Sequence, residues 1–398
     1  MMDKPLTVKH NFTGDFCVPC IQSRQEEVHQ WLLGHEKKET PFYSSVDIRD
    51  AGFKMTVVDT NLFPAGFNNL CEHGLADASH FIREAILKRV PGAHKILIVT
   101  EEHTRNTGYL ENVSILQDII RKAGFEVNVA FPEDIKTACT PCDLIVMNND
   151  LSGGIPDALK KSNIPVFPSM HAGWHARLKS GHFAQTSRLA EEFARIVGLD
   201  PWLFSCLFEA VDDVDVNSDD GHQKLHDAAV RLFDGVRAKY KEHHINEKPF
   251  VFIKADSGTY GMGVVPIEDP SMVLELNRKK RNDLLRGKSG QLVTRFLLQE
   301  GVPTIQRIEE SPCEVCIYQI DNNLIGGFYR YHTGKGSREN LNSPGGMAFQ
   351  KVCPHLGKYG QDCGVKHNMN IFDIYRILAR IAGVAAGRET RELESQAR

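Results

Sequence analysis

The chain has 398 residues, more than one ordinary hydrophobic core organises, so two or three domains are expected. A formal net charge of −4, with 25% charged residues, argues against a generally basic nucleic-acid-binding protein. No apolar run approaches the roughly 20 residues of a transmembrane helix, and the first residues, MMDKPLTVKHNFTG, contain no apolar signal core. We therefore expect a cytoplasmic protein with neither a nucleic-acid nor a membrane partner, and the oligomeric state stays open.

The first half of the chain alternates between strand and helix patterns. Helices are predicted at QEEVHQWLLGH, ADASHFIREAILKRV and LENVSILQDIIRKAG, the last ending at a C-capping glycine. Strands are predicted at KMTVVD, HKILIVTE, FEVNVA, CDLIVMNND and IPVFPS. Because strands and helices alternate, residues 45–170 are expected to form a mainly parallel sheet covered by helices.

The second half begins with helical patterns and continues with strands. Residues 183–244 have helical spacing, and Asp200-Pro201 is typical of a helix start. Strands are predicted at FVFIKA, GQLVTRFLLQE, EVCIYQI and LIGGFYRYH, and the last two flank the hairpin signal Asp-Asn-Asn. A final helix, IFDIYRILARIAGVAA, precedes a polar tail over residues 386–398 that is expected to fray.

Three cysteine pairs have Cys-x-x-Cys spacing, and two such pairs could form a zinc site. In a strand such as CEVCIYQI, however, residues i and i+3 face opposite sides and chelate poorly. We expect reduced thiols, and a zinc-binding or redox-responsive module stays open as an alternative. The pairs are Cys17/Cys20, Cys139/Cys142 and Cys313/Cys316.

The stretch VFIKADSGTYGMGVV places Lys254 at a strand end directly before a glycine loop. A dinucleotide fingerprint needs Gly-x-Gly-x-x-Gly between a strand and a helix, whereas this order is Gly-x-x-Gly-x-Gly and a strand pattern follows. The order disfavours a nicotinamide dehydrogenase and favours a hairpin flap whose backbone N–H groups cradle phosphates above the lysine. An ordinary glycine turn beside a solvated lysine is the alternative.

Later polar residues suit the same chemistry. Gln299 and Glu300 end an apolar strand, where backbone can bind an adenine edge and a carboxylate can bind ribose hydroxyls. Glutamate and asparagine oxygens suit magnesium, and arginine suits a transferring phosphoryl group. The candidates are Glu314 and Arg330 on a predicted hairpin, and Arg338, Asn340 and Asn342 in the loop GSRENLNSPGGM.

The loop TNLFPAGFNNL is a candidate for amino-acid recognition. Asn61, Asn68 and Asn69 make this loop rich in side-chain amides, and Arg49 could bind a substrate carboxylate bidentately. The alternative is that these asparagines only stabilise turns.

Taken in order, these features resemble an ATP-grasp domain, and the whole chain resembles the glutamate–cysteine ligase family of the proteobacterial, ATP-grasp-like type. The resemblance covers about residues 45–350 and is carried by VDIRDAGFK, VDTNLFPAGFNNL, NNDLSGG, GWHARLKSGHF, IKADSGTYGMGV and ENLNSPGGMAF. It implies an α/β fold with a Rossmann-like, pre-ATP-grasp domain over residues 1–175. A helical segment and an ATP-grasp-like α+β region over residues 176–385 would follow.

The resemblance also implies a reaction in which ATP activates the γ-carboxylate of L-glutamate as an acyl phosphate and the amine of L-cysteine attacks it, with ATP and Mg²⁺ as cofactors. Classical ATP-grasp ligases carry a late Glu-x-Asn; here KHNMN has Asn368 where glutamate would lie. Another amino-acid pair, as in a glutathione-synthetase-like ligase, is the main alternative. The implied sites are ATP at Lys179, Lys254, Ser257, Gly258, Gly261, Gly263, Gln299 and Glu300; catalysis at Arg330 and Arg338; amino-acid binding at Arg49, Asn61, Asn68 and Asn69; and metal at Glu314, Asn340 and Asn342.

Overall fold

The computed structural model describes residues 17–102, 106–135, 141–258, 263–285, 293–343, 345–353 and 369–397. The first half contains α1 (Val18–Ser23), α2 (Gln25–Glu36), β1 (Tyr43–Asp50), β2 (Met55–Asn61), α3 (Glu72–Arg89), β3 (Lys95–Thr100), α4 (Thr107–Lys122), β4 (Glu126–Ala130), β5 (Leu144–Asn148), α5 (Asp157–Lys160) and β6 (Val166–Phe167). The second half contains α6 (Lys179–Val197), β7 (Phe208–Val211), α7 (Asp219–Glu242), β8 (Val251–Ala255), β9 (Val265–Ile267), α8 (Arg278–Leu284), β10 (Phe296–Glu300), β11 (Arg307–Ile308), β12 (Ser311–Ile320), β13 (Asn323–His332), β14 (Met347–Val352) and α9 (Met369–Gln396).

A parallel sheet forms from four strands of the first half, in the order β4-β3-β5-β6. The central strands are apolar runs because both faces are covered, and every residue of β5 is buried. The predicted strands of this sheet and helices α2, α3 and α4 are confirmed. Asn106 caps α4 by accepting a hydrogen bond from the backbone N–H of Tyr109.

A larger antiparallel sheet has the order β14-β13-β12-β1-β2, with β11 beside β12. Its strands come from both ends of the chain, since Tyr43 of β1 pairs with Ile320 of β12. The expectation of one mainly parallel sheet over residues 45–170 was therefore wrong for β2, and β1 was missed as a strand. The run YSSVDIRD is mostly polar, yet it is almost entirely buried because both of its faces are covered: Val46 and Ile48 pack in one core and Tyr43 in another. The domain boundary at residue 175 stays a prediction, although the antiparallel sheet contains strands from both sides of that boundary.

The third sheet is antiparallel and has the order β7-β10-β8-β9. Strand β7 lies inside the region that was predicted to be helical, because four residues are too few to interrupt the surrounding periodicity. Strand β10 begins only at Phe296, later than predicted. Helix α7 packs its apolar stripe against this sheet.

The C-terminal helix α9 continues to Gln396, so the prediction of a frayed tail from residue 386 was wrong. The first polar residues of this segment are bound to other parts of the molecule, whereas Arg391, Glu392, Ser395 and Gln396 are exposed. Glu389 is only 5% exposed, and Arg388 donates a 2.7 Å hydrogen bond from Nε to Glu39. In the described part of the chain, no helix is both long and apolar enough to span a membrane.

The cysteines of the third Cys-x-x-Cys pair lie on opposite faces of β12, as predicted. Cys313 packs in the core around α7 and α9, whereas Cys316 packs in the core beneath α3 and the parallel sheet. In the first pair, burial raises the pKa of Cys17 to about 12, so its thiol stays protonated at neutral pH. Cys139 lies outside the described residues.

Candidate active site

A cavity of about 440 Å³ lies between the carboxyl edge of the parallel sheet and the antiparallel sheet. Tyr109 and Asp150 reach it from the parallel sheet side, and Tyr318 reaches it from β12. This is the edge of a parallel sheet where ligands bind in open α/β folds. Five of the predicted site residues meet here, namely Asn61, Asn68, Asn69, Arg330 and Asn342.

The amide loop that carries Asn68 is fixed to the parallel sheet by two buried asparagines. Asn112 accepts a 3.0 Å hydrogen bond from the backbone N–H of Phe67. Asn148 donates from its amide to the carbonyl of Pro64 at 2.9 Å. These bonds explain why a loop of this composition is ordered at the cavity wall, since its backbone groups are satisfied by side chains.

Gly66 lets the same loop approach the antiparallel sheet. A Cβ atom at this position would lie 2.4 Å from the hydroxyl oxygen of Tyr318, far inside van der Waals contact. Glycine is therefore required by close packing against Tyr318 rather than by backbone conformation.

A buried chain of charged groups runs through the sheet behind the cavity. Arg49 donates from Nε to Glu314 Oε2 at 2.6 Å, and Arg330 donates from Nη1 to Glu314 Oε1 at 2.8 Å. Arg330 also binds Asp47 at 2.7 Å, and Arg49 binds the carbonyl of Glu339. Arg49 is not among the residues that line the cavity, so the structure does not favour the predicted contact with a substrate carboxylate.

Charge pairing sets the protonation of the two carboxylates in this chain. Burial alone raises the pKa of Glu314, but Arg49 and Arg330 outweigh it and hold that pKa below its ordinary value. For Asp47, burial is the larger effect and raises the pKa despite Arg330, with the negative charge of Glu314 adding to the rise. Glu314 is therefore a fixed anion between two arginines.

The residues predicted as metal ligands do not fit a magnesium site. Both oxygens of Glu314 already accept arginine hydrogen bonds. Oδ1 of Asn340 accepts from the backbone N–H of Asn342 at 3.0 Å. Of the three, only Asn342 lines the cavity, and one amide oxygen is far from the octahedral oxygen set that Mg²⁺ requires.

Two lysines and one aspartate lie beside the cavity. Lys179 donates from Nζ to Asp59 Oδ1 at 2.8 Å and sits 4.3 Å from the ring centre of Trp174; both Asp59 and Trp174 line the cavity. Lys254 lies 5.3 Å from the ring centre of Phe183. Among the residues that the structure describes, none forms a hydrogen bond or salt bridge with the ammonium group of Lys254.

The lysines and Asp59 shift one another's pKa values. Burial, and then the charge of Lys179, lower the pKa of Lys254 to about 8, with Asp59 opposing the shift. Burial raises the pKa of Asp59, but Lys179 and Lys254 together hold it below its ordinary value. The pair of ammonium groups thus presents more positive charge than Asp59 neutralises, as an anion site requires.

Asp256 joins the two elements that carry the lysines. Its carbonyl accepts from the backbone N–H of Lys179 at 2.7 Å, and its carboxylate accepts from the backbone N–H and the hydroxyl of Ser180. The start of α6 and the end of β8 are therefore held together at the point where the glycine loop leaves the strand.

The described ends of the glycine loop have backbone conformations that suit glycine. Gly258 has φ 109° and Gly263 has φ 65°. Ser257 lies beside Gly258, directly after Asp256. Gly261 lies outside the described residues.

Glu300, which was predicted to bind ATP, has a side chain that is 0% exposed. It accepts from Lys54 at 2.9 Å, from Trp202 Nε1 and from the backbone N–H of Leu207. The assignment of Glu300 to ribose stays a prediction that these internal contacts do not favour. Gln299 is also buried, and its amide points at the sulfur of Cys206.

Arg338 lies away from the cavity as well. It donates to the backbone carbonyl of Lys248 and stacks 4.8 Å from the ring centre of Phe250. Phe250 directly precedes β8, whereas Lys254 is near the other end of that strand, about 13 Å away at the rise of a strand. A catalytic role for Arg338 stays a prediction that this arrangement does not favour.

Several residues around the site were not predicted from the sequence. Asp59 ends the pattern KMTVVD, and a carboxylate at a strand end was the available signal for it. Arg177 pairs with Glu389 of α9 at 3.0 Å and donates to the carbonyl of Thr60, one residue from Asp59. His182 contacts the same Glu389, and burial lowers its pKa. No sequence signal connects residues so far apart.

The sequence matches the profile of the family described as glutamate-cysteine ligase, over residues 19–141 and 132–390. A solved structure from Methylobacillus flagellatus KT, which carries the provisional name gamma-glutamylcysteine synthetase, is 34% identical over 98% of this chain and 99% of its own, with a TM-score of 0.84.

More distant similarities are weak. A D-cycloserine synthetase is 13% identical over 74% of this chain and 82% of its own, with a TM-score of 0.41. The D-alanyl-alanine synthetase A of Vibrio cholerae is 11% identical over 73% of this chain and 81% of its own, with a TM-score of 0.35. Similarity at this level supports no functional argument. No curated protein matches the chain significantly.

Proposed function

Because the chain belongs to the glutamate–cysteine ligase family, we propose that it uses ATP to join the γ-carboxylate of L-glutamate to the amine of L-cysteine. The observation that carries the proposal is the position of Asp59, which lines the cavity and also binds Lys179 beside Lys254. The cavity and the pair of lysines are therefore adjacent, which supports the proposal because phosphoryl transfer to a bound carboxylate needs neighbouring sites.

The proposed reaction has two steps. A γ-carboxylate oxygen attacks the terminal phosphorus of ATP, ADP leaves, and an acyl phosphate results. The cysteine amine then attacks the acyl carbon, the carbon–oxygen bond to phosphate breaks, and the amine loses a proton. A carboxylate does not react with an amine directly at neutral pH, so the first step makes the second possible.

The two ammonium groups are proposed to hold the ATP phosphates. Lys179 and Lys254 would oppose the charge that develops on the transferring phosphoryl group, and fixed charges in a water-poor site are effective for this. Backbone N–H groups near Gly258 and Gly263 would approach the phosphates from the glycine loop. Magnesium normally accompanies ATP in such reactions, but the predicted ligand set does not fit it, so we assign no step to a metal.

The cavity is proposed to bind the amino acids. Arg330 supplies positive charge for a carboxylate, and the amides of Asn68 and Asn69 can donate hydrogen bonds to carboxylate oxygens. Asp59 supplies negative charge for an ammonium group. Amino-acid recognition is thus shared between residues 1–175 and strands β12 and β13, and residues 176–385 supply most of the nucleotide site.

The proposal is tested by measuring ADP release and product mass with purified enzyme. We expect ADP release with glutamate and cysteine together, accompanied by γ-glutamylcysteine, and little release with glutamate alone. Activity with γ-glutamylcysteine and glycine, without activity on glutamate and cysteine, would instead assign the glutathione-synthetase-like reaction.

A further inference from the structure

Cys71, His73 and Cys353 meet where the amide loop approaches the end of β14. The two sulfur atoms and one ring nitrogen of His73 all lie within 4.8 Å of one another. The sulfur of Cys353 is 3.8 Å from Nδ1 of His73. We propose that these three side chains bind a thiophilic divalent metal ion, and that the ion is zinc.

The distances suit tetrahedral coordination. Zinc bonds of about 2.3 Å to sulfur and 2.0–2.1 Å to nitrogen separate the ligand atoms by roughly 3.6–3.8 Å. The contact between Cys353 and His73 already has this length, and the remaining ligand atoms need to move by about 1 Å at most. Two thiolates and an imidazole favour zinc and similar metals over magnesium or calcium, which bind oxygen ligands.

Rigid elements hold all three ligands. Cys71 is the N-cap of α3, where its sulfur accepts from the backbone N–H of Gly74 at 3.5 Å. A Cβ atom at Gly74 would lie 2.3 Å from the carbonyl oxygen of Ile325, so α3 is packed closely on β13. Cys353 directly follows β14. A site built on such elements needs little reorganisation to bind a metal.

The second cluster of potential ligands among the described residues is Asp200, Glu242 and His243. There Lys239 already occupies the centre, since Nζ donates to Asp200 at 2.8 Å and to Glu242 at 2.9 Å. Cys71 and Cys353 are, moreover, not members of the Cys-x-x-Cys pairs that the sequence singles out.

A metal at this place would connect two walls of the cavity. Asn68 and Asn69 lie just before Cys71 in the chain, and Met347 and Phe349 lie on β14 just before Cys353; all four line the cavity. The ion would therefore fix the amide loop relative to β14. The assignment of the three ligands does not depend on the proposed reaction.

The test is titration of the metal-free, reduced full-length protein with Co²⁺, followed by displacement with Zn²⁺. We expect one Co²⁺ per chain with a thiolate-to-cobalt charge-transfer band, and loss of that band when Zn²⁺ is added. Zn²⁺ should also raise the melting temperature of the metal-free protein. Neither measurement depends on enzymatic activity.

Variants assign the ligands. Cys71→Ser, Cys353→Ser and His73→Gln should each weaken Co²⁺ binding by more than the roughly 10- to 100-fold that loss of an outer-shell partner causes. Cys20→Ser, at a partly exposed position on α1, is the matched control and should bind normally. The site is disproved if the wild type gives no charge-transfer band, if the band survives in both Cys71→Ser and Cys353→Ser, or if these two cysteines form a disulfide that reductant does not open.

Discussion

Lys179 binds Asp59 at 2.8 Å and thereby lies beside Lys254, so one carboxylate on β2 organises two lysines that come from α6 and β8. Asp59 keeps a side-chain exposure of 40% toward the cavity. The amino-acid cavity and the cationic site therefore share a residue, and changes at this contact should affect both substrates.

Lys254→Met should reduce turnover by about 10²–10³-fold while the fold is retained, because the methionine can still pack on Phe183 but carries no charge. Melting curves with ATP and with glutamate separate the two sites: ATP should stabilise the variant less than it stabilises the wild type, whereas glutamate should stabilise both equally. Lys224→Met, at an exposed position of α7, is the control. Normal turnover and normal stabilisation by ATP in Lys254→Met would move the nucleotide site elsewhere.

ATP affinity should fall as the pH rises through about 8. Lys254 has a pKa of about 8, so it is charged and attracts phosphate below this pH and becomes neutral above it. Asp59 raises that pKa, so Asp59→Asn should move the loss of affinity to lower pH. Calorimetric titration with a non-hydrolysable ATP analogue would show both effects. Lys254→Met should lack this pH dependence, and an unshifted profile in Asp59→Asn would contradict the coupling.

Glu314→Gln should destabilise the protein by about 3–5 kcal/mol, because it leaves Arg49 and Arg330 without their shared counter-charge in a buried site. Urea unfolding measures the loss, and Glu310→Gln on the surface serves as control. If Glu314 were instead a magnesium ligand, the variant would keep its stability and need more magnesium for half-maximal activity.

Gly66→Ala should weaken amino-acid binding without affecting stabilisation by ATP, because the new methyl group collides with the hydroxyl of Tyr318 at the cavity wall. Removing that hydroxyl makes room, so the double variant Gly66→Ala/Tyr318→Phe should recover part of the glutamate affinity. Thermal shifts with glutamate and with ATP measure the two effects. A double variant no better than Gly66→Ala would show that the steric explanation is wrong.

Glu389→Gln should lower stability and reduce its dependence on pH. Burial raises the pKa of Glu389 in isolation, but Arg177 and His182 hold it below its ordinary value, so its stabilising effect is present above the unfolded pKa and is lost as the pH falls through the folded pKa. The free energy of unfolding, measured by urea at several acidic pH values, should therefore decline less steeply in the variant. Glu394→Gln, at a partly exposed position of α9, should behave as the wild type.

Local patterns predicted the elements well where the fold is local. Strands β3 and β5 follow from continuous apolar runs and helices α3 and α4 from apolar periodicity, because their partners are close in the sequence. Asn68, a candidate for amino-acid recognition, lines the cavity. Its position in a loop that directly follows a strand is also a local feature of the sequence.

Long-range pairing explains what the sequence did not predict. Glu300 resembles a solvated strand end, but it is enclosed by Lys54 and Trp202, which come from distant parts of the chain. Arg49 resembles a substrate ligand, but Glu314 comes to lie against it only when β1 pairs with β12. Whether a charged side chain faces a ligand or a counter-ion is decided by such pairings.

The pairing of Tyr43 with Ile320 also sets when the cavity can form during synthesis. At about 5–20 residues per second, β1 is synthesised roughly 15–55 seconds before its partner strand β12. During this interval the edge of β1 that later pairs with β12 has no partner strand, and the chain of charged groups through Glu314 is incomplete. A nascent fragment that ends at residue 175 would therefore contain the amide loop but only half of the wall against which that loop packs.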